Sequence, residues 1–294
     1  LETFSERADK VRNKEVDASV DNMLLITNDG KKMALDQRLI NPLLPDDPNS
    51  KVNTCIKNVF SIWDKYKDKK SAQLIFCDMS TPSNDFNIYD DIKTKLIDMG
   101  VPENEIEFIH KAKNNMEKDA IFDKVRKGEI RVLLGSTQKM GAGTNAQDKL
   151  IAIHDLDIPW RPADLSQRAG RIVRQGNENK EVHIFRYVTE NTFDAYLFQT
   201  LENKQKYISQ IMTSKTPVRV AEDVDEATLN YAEIKALATG NPLIKEKMDL
   251  DVEVSKLKML ESNFKSNLYK LEDKVVKFYP KEIERLKERI ENLK

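Results

Sequence analysis

An α/β fold is predicted, a parallel sheet with helices on both faces plus a C-terminal α-helical or coiled-coil extension, and three observations predict it. Between residues 51 and about 213, short runs that are apolar throughout alternate with amphipathic stretches, the pattern of strands buried on both faces. Glycines close the amphipathic stretches, at Gly100 and Gly128. From 245 onward glycine disappears, about half the residues are charged, and an apolar residue returns every three or four positions, a helical repeat.

Residues 1–50 are polar and mixed. They form an N-terminal segment that ends in a turn-rich stretch from Asn41-Pro42 to Asp46-Asp47-Pro48-Asn49-Ser50. Pro, Asn and Asp there bend the backbone against helix and sheet. Val52 to Lys69 has helical spacing through Val52, Ile56, Val59, Ile62 and Trp63. Gln73 to Cys77 is the first strand, and a polar loop and a helix from Tyr89 to Met99 follow. Glu105 to Ile109 is a strand, Asp119 to Lys127 a helix and Ile130 to Leu134 a strand; Leu150 to His154 and Glu181 to Tyr187 complete five strands. The α/β lobe is thus expected over 51–215, followed by an acidic helical connector over 216–244 and a helical hairpin or coiled coil over 245–294.

In that last segment Val254, Leu257, Phe264, Leu268, Leu271, Val275 and Phe278 make a near-heptad seam, which resumes in a new register at Ile283, Leu286, Ile290 and Leu293. Pro280, between the two, predicts a break and two antiparallel arms. Three roles stand open for the tail: packing on its own protein, self-association, and a nucleic-acid-binding arm.

Composition narrows the function classes. Forty-eight Lys+Arg against 49 Asp+Glu leave a net charge of −1, which excludes a generally basic nucleic-acid coat but not a local basic site. No apolar run reaches the ~18 residues of a membrane span, so no membrane partner is expected. The opening LETFSERADK has neither a signal pattern nor an initiator Met, and the chain is expected to be a cytoplasmic piece of a longer polypeptide. Cys55 and Cys77 lie near neither a second Cys nor a His cluster, so no zinc module, disulfide scaffold or other metal site is expected.

Ligands of a parallel sheet bind at the carboxyl ends of its strands, here in the loops after 77, 110, 134 and 154. The loop after the third strand runs Gly135-Ser136-Thr137-Gln138-Lys139-Met140-Gly141-Ala142-Gly143-Thr144-Asn145, whose glycines let backbone amides approach a ligand closely. It is not a phosphate-binding P-loop: no G-x-x-x-x-G-K-[ST] occurs in the chain, nor an Asp-Glu box at a strand end to hold magnesium. The next loop, Asp157-Ile-Pro-Trp-Arg-Pro162, leads into a helix expected from Pro162 to Gly176. On that helix Leu165, Ala169 and Ile172 make the buried stripe, and Gln167, Arg171 and Arg174 project from the opposite face. Arg, not Lys, is used throughout this stretch, and planar guanidinium groups suit bidentate recognition of phosphate.

These residues carry a resemblance. Ser136-Thr137 to Gly141-Ala-Gly-Thr-Asn145, Asp157-Ile-Pro-Trp-Arg-Pro162 and Gln167-Arg-Ala-Gly-Arg-Ile-Val-Arg174-Gln-Gly resemble motifs V and VI of superfamily 2 helicases and translocases, in the chromatin-remodeller-like branch. Gln73–Cys77 is similar to motif IV, and Val188–Tyr196 to the threonine-led helix after motif VI. The resemblance implies the second RecA-like lobe of an ATP-driven DNA motor. By matching positions, Arg171 and Arg174 would be arginine fingers, and Gln167, Gly141, Gly143, Thr144 and Asn145 would serve the ATP side. Ser136, Thr137, Lys139 and His110 would face the nucleic acid. ATP and Mg2+ would be held by the full-length protein together with a first RecA-like lobe, and not by this fragment alone. The alternative reading is a non-catalytic nucleic-acid-binding or docking module with a coiled-coil tail. Ala221 to Pro242 looks like a segment of very large helicase proteins of conjugative elements and phages, in which a DNA methyltransferase module often shares the polypeptide.

Blander readings apply to other side chains. His110 reads as a polar loop residue or a contact. His154 and His183 read as satisfied histidines on strands and Trp63 as core. Trp160 reads as a wedge fixing the loop before the arginines, or as simple packing.

Overall fold

β1 (Ala72–Phe76), buried at all five positions, is the middle strand of five. In the computed structural model, which describes residues 2–140, 145–190, 192–198, 200–201, 250, 253–254, 257, 260–261, 264–265 and 267–292, the others are β2 (Ile106–Phe108), β3 (Val132–Gly135), β4 (Leu150–Asp155) and β5 (His183–Arg186). Their order is β2-β3-β1-β4-β5, and all pairs are parallel. The α/β class expected from the apolar runs is the one observed, and each of the five strands overlaps its predicted span.

Alternation along the strands builds two cores. Ile75, Val132 and Leu134 point to one face, where α3 (Lys51–Lys65) brings Val52, Ile56 and Val59, and α4 (Ile88–Asp98) brings Ile92 and Leu96. Leu74, Phe76, Leu133 and Ile153 point to the other, against Phe122 and Val125 of α5 (Asn115–Lys127). Asparagine or serine caps three of these helix starts, as Ser50, Asn87 and Asn114 each accept an N–H from the residue three further on, worth about 1 kcal/mol apiece. Gly128 ends α5 in the left-handed region at φ 74°, and a Cβ there would lie 2.6 Å from the Lys70 carbonyl.

A third core lies beside the sheet. α1 (Glu2–Arg12) and α2 (Met23–Leu35) contribute Phe4, Ala8, Ile26 and Ala34, which meet Ile158, Phe193, Leu197 and Leu201. The turn-rich stretch after α2 is tied to α4 by ion pairs, with Arg38 reaching Asp36, Asp46 and Asp91, and Lys95 reaching Asp46 and Asp91.

Trp63 is a partly buried residue of α3, stacked between Phe60 and the Arg131 guanidinium, with its indole N–H donating to Glu105 at 2.6 Å.

His154 of β4 is wholly buried. Its Nε2 faces the Gln73 Oε1 at 3.0 Å and its Nδ1 faces the Tyr187 hydroxyl at 2.8 Å. The Gln73 amide in turn donates to the Val59 carbonyl, and Asn58 donates to Tyr187. This arrangement suits a neutral imidazole that donates from Nε2 and accepts at Nδ1. Burial, with His183 adding to it, drives the His154 pKa down to about 3. The folded pKa lies below the unfolded one, so the stabilisation is full above the unfolded value of about 6.5 and is lost as pH falls toward the folded value. Going from pH 7 to pH 5 is expected to remove about 2 kcal/mol through this group. Urea unfolding at the two pH values, compared with His154→Gln, tests it. An equal acid loss in the variant would assign the effect elsewhere.

The chain divides into two compact units, Leu1–Thr239 and Gly240–Lys294. In the second, residues 267–291 are helical without interruption, through a π-helical stretch at Lys274–Phe278 and on into α8 (Tyr279–Glu291). The expected break at Pro280 therefore does not occur. Proline removes one helical N–H and crowds the carbonyl a turn earlier. A π turn placed just before it widens the backbone and absorbs both effects. Ile283, Leu286 and Ile290 are exposed. The connector predicted over 216–244 and the segment from Ala221 to Pro242 lie outside the described residues. No described helix is long and apolar enough to cross a membrane.

Candidate functional site

Two strand ends bring three acids to one place on the carboxyl edge of the sheet. Asp78 follows β1, Asp155 ends β4, and Asp157 lies two residues beyond it. One arginine meets all three. Arg168, on α7 (Pro162–Ala169), is fully buried. Its guanidinium donates to Asp78 at 2.8 Å, to Asp155 and Asp157 carboxylates at 3.2 Å each, to the Asp157 carbonyl at 2.9 Å and to the Thr137 hydroxyl at 2.8 Å. All its nitrogens are therefore engaged. Burial opposes the Arg168 charge, but the fields of Asp157, Asp155 and Asp78 overcome it and hold the pKa above its ordinary value. Burial likewise pushes Asp155 up, against the pull of Arg168. The second Asp157 oxygen accepts the backbone N–H groups of Asp78 and Met79, so the carboxylate bridges two loops.

The residues singled out in the sequence fall around this network. α6 (Thr137–Met140) opens directly after β3. The Thr137 hydroxyl donates to Asp78 at 2.7 Å while accepting from Arg168, so its proton is used inside the chain. Ser136 is buried, and its Oγ accepts the Lys139 N–H at 3.3 Å. Lys139 itself is exposed. Asn145 is exposed and its carbonyl accepts from Arg126 at 2.5 Å. Gly141, Gly143 and Thr144 lie outside the described residues. His110 sits at the end of β2, its ring edge-on to Tyr89, and its Nδ1 is buried with no hydrogen-bond partner among the described residues.

The helix expected to run to Gly176 stops at Ala169. Gly170 ends it, and tight turns carry the chain through Arg171 to Gly176, with Arg171 N–H on the Arg168 carbonyl and Ile172 N–H on the Ala169 carbonyl. The predicted stripe is consequently split. Leu165 packs with α1, α2 and Phe193, whereas Ile172 joins the core under α5. Asn177 fastens the turn by donating to the carbonyls of Ile172 and Leu150. Gln167 and Arg174 are exposed and Arg171 is half-buried.

The electrostatics join these groups into one cationic field. Burial lowers the Arg171 pKa and Arg174 adds to it. Burial lowers that of Lys118 on α5, with Arg171 and Lys139 contributing. Burial also lowers that of His110, again with Lys139 contributing. Such a surface favours anions. Among the described residues no group of three His, Cys, Asp or Glu side chains is arranged to hold a metal ion.

Arg168 and Lys118 escaped the sequence reading. A signal for the first was present: Arg168 falls three residues after Leu165 and four before Ile172, on the core side of any helix. A charge on that side needs acids, and three stand at strand ends.

Residues 50–176 match the helicase conserved C-terminal domain family. Defense against restriction protein B of Escherichia phage P1 is 36% identical over 77 residues, 26% of this chain and 3% of that protein. The Bacillus subtilis (strain 168) protein named Uncharacterized ATP-dependent helicase YqhH is 34% identical over 108 residues, 35% of this chain and 19% of its own length. The chain thus spans less than a fifth of either relative. Among solved structures, the C-terminal part of the Fun30 ATPase domain aligns at a TM-score of 0.44 with 19% identity, covering 72% of this chain and 59% of that one. The family match takes in α3, the first four strands and the arginine turn.

Proposed function

We propose that this chain supplies the second, RecA-like motor lobe of an ATP-dependent DNA helicase or translocase, and that Arg171 and Arg174 act as arginine fingers toward ATP held by a first lobe of the same polypeptide. The observation that carries the reading is the Arg168 network. It fastens the turn bearing both arginines to the carboxyl edge of the sheet, within the residues that match the helicase C-terminal domain family. Arg171 feels the charge of Arg174, and Lys118 that of Arg171 with Asp119 opposing, a cationic set that suits a polyphosphate. Magnesium has no such set among the described residues, so in this reading its ligands belong to the first lobe. ATP bound in the cleft supplies the phosphoryl group. The chain's own part is to present planar guanidinium forks to developing negative charge, while Arg168, saturated by its acids, holds the turn.

In the same reading Gln167 and the loop through Gly141, Gly143, Thr144 and Asn145 complete the nucleotide side. Lys139 and His110 meet the DNA backbone, with Ser136 and Thr137 holding that edge from within; such contacts position the strand without reading its sequence. The setting proposed is cytoplasmic, in a large polypeptide of a mobile element that also carries a methyltransferase module.

Because the chain has no P-loop, it is expected to show no ATPase activity above background alone, with or without DNA. A steady-state phosphate-release assay checks this. DNA-stimulated turnover abolished by Arg171→Ala would reveal a complete site in this chain.

A further inference from the structure

α2 lies upstream of the residues that match the helicase family, yet its Lys31 reaches the segment that feeds the arginine turn. Lys31 is 6% exposed. Its ammonium sits 4.7 Å from the centroid of the Trp160 ring and donates one long hydrogen bond, 3.4 Å, to the Ile158 carbonyl. An ammonium carries three donors, and burying one is costly unless the surroundings compensate. Here the compensation comes from the indole face and from the fields of Asp157, Asp194 and Asp78, which oppose the lowering caused by burial and by Lys51.

The lysine is held where it is. Gly30 lies so close to the Phe193 ring that a Cβ would stand 2.6 Å from it, and the Ala34 carbonyl accepts from the Thr189 hydroxyl at 2.9 Å. Ile26 and Ala34 share a core with Ile158 and Phe193. α2 is therefore a fixed support, and its Lys31 meets the strap formed by Ile158 and Trp160. Two residues after Trp160 the strap becomes α7, with Pro162 in its first turn and Arg168 on its core side.

We infer that Lys31 is a positioning residue for the arginine turn: by gripping the Ile158 carbonyl and the Trp160 face, it sets where α7 starts and so where Arg168 and Arg171 stand. Its catalytic consequence rests on the motor reading above; its structural consequence does not. A residue that acts only by packing would lower stability and leave turnover per folded molecule unchanged. A residue that places the fingers acts on kcat, because misplacing a catalytic group by about 1 Å can lower a rate by about 100-fold.

The test uses Lys31→Met and Lys31→Arg. In this chain, hydrogen exchange of the amides of 163–171 is measured. In the two-lobed protein, kcat and KM for ATP are measured at a temperature where both variants are folded. Lys31→Met is expected to speed exchange in 163–171 about tenfold and to lower kcat about 10- to 100-fold with KM within about twofold, and Lys31→Arg to recover most of both. If Lys31→Met does not fold, Lys31→Gln, which keeps a donor for the Ile158 carbonyl and removes the charge, replaces it, with changes in the same direction but smaller, at least about threefold in exchange and in kcat. Unchanged exchange in 163–171, or unchanged kcat in a folded variant, overturns the inference, as does failure of Lys31→Arg to recover either. Failure of the motor reading shows separately, as normal hydrolysis by Arg171→Ala, and leaves the exchange result standing.

Discussion

Arg171→Ala in the two-lobed protein is expected to lower kcat for ATP hydrolysis by about 10³ or more, with DNA affinity nearly unchanged. The γ-phosphoryl group gains charge only near the transition state, so a guanidinium aimed at it lowers the barrier more than it tightens ATP binding. The half-buried position of Arg171 sharpens the effect, since its field is screened less than that of the exposed Arg174. Arg171→Lys should be nearly as damaging, because a compact ammonium cannot reproduce the planar fork. Steady-state ATPase and DNA binding on the two variants decide the matter. Lost DNA binding with normal hydrolysis would give the cationic face to the nucleic acid and end the finger assignment.

Arg168→Met should cost stability instead of chemistry, by about 3–5 kcal/mol at pH 7. Met fills similar space but leaves Asp155 and Asp157, each 4% exposed at the side chain, with no guanidinium between them. Burial already pushes the Asp155 pKa up while Arg168 pulls it down, so removing Arg168 raises it further. A carboxylate whose folded pKa exceeds its unfolded value loses stability as pH rises, and the deficit of the variant should therefore be smaller at pH 5 than at pH 7. The His154 contribution is common to both proteins and cancels in the difference. Urea unfolding of this chain and its variant at both pH values measures it. A loss under about 1 kcal/mol at pH 7, or a deficit that does not shrink in acid, would show that the three acids do not depend on this arginine.

These two arginines, three residues apart, separate what is local from what is not. The strands, the helices of the sheet and the Pro162 start were readable because side-chain periodicity and chain punctuation are set within a few residues. The exposure of Gln167 was readable from the same helical wheel, whereas Arg171 and Arg174 stand beyond the end of that helix. Two local rules were overruled. Gly170 ended α7 where apolar spacing continued it, since splitting Leu165 and Ile172 between two cores buries both. Pro280 did not end its helix, since a π turn took up the lost bond.

From the sequence alone a parallel α/β lobe could be read, with Arg171 and Arg174 expected on one helix running to Gly176. The tertiary structure places them on a turn instead, with Arg168 bound to three acids just before it and Lys31 against the Ile158 carbonyl and the Trp160 ring. Asp78 is 90 residues from Arg168, and Ile158 is 127 from Lys31. Whether a buried charge is stabilised depends on summed fields and donor geometry from groups that distant, which no window of periodicity contains.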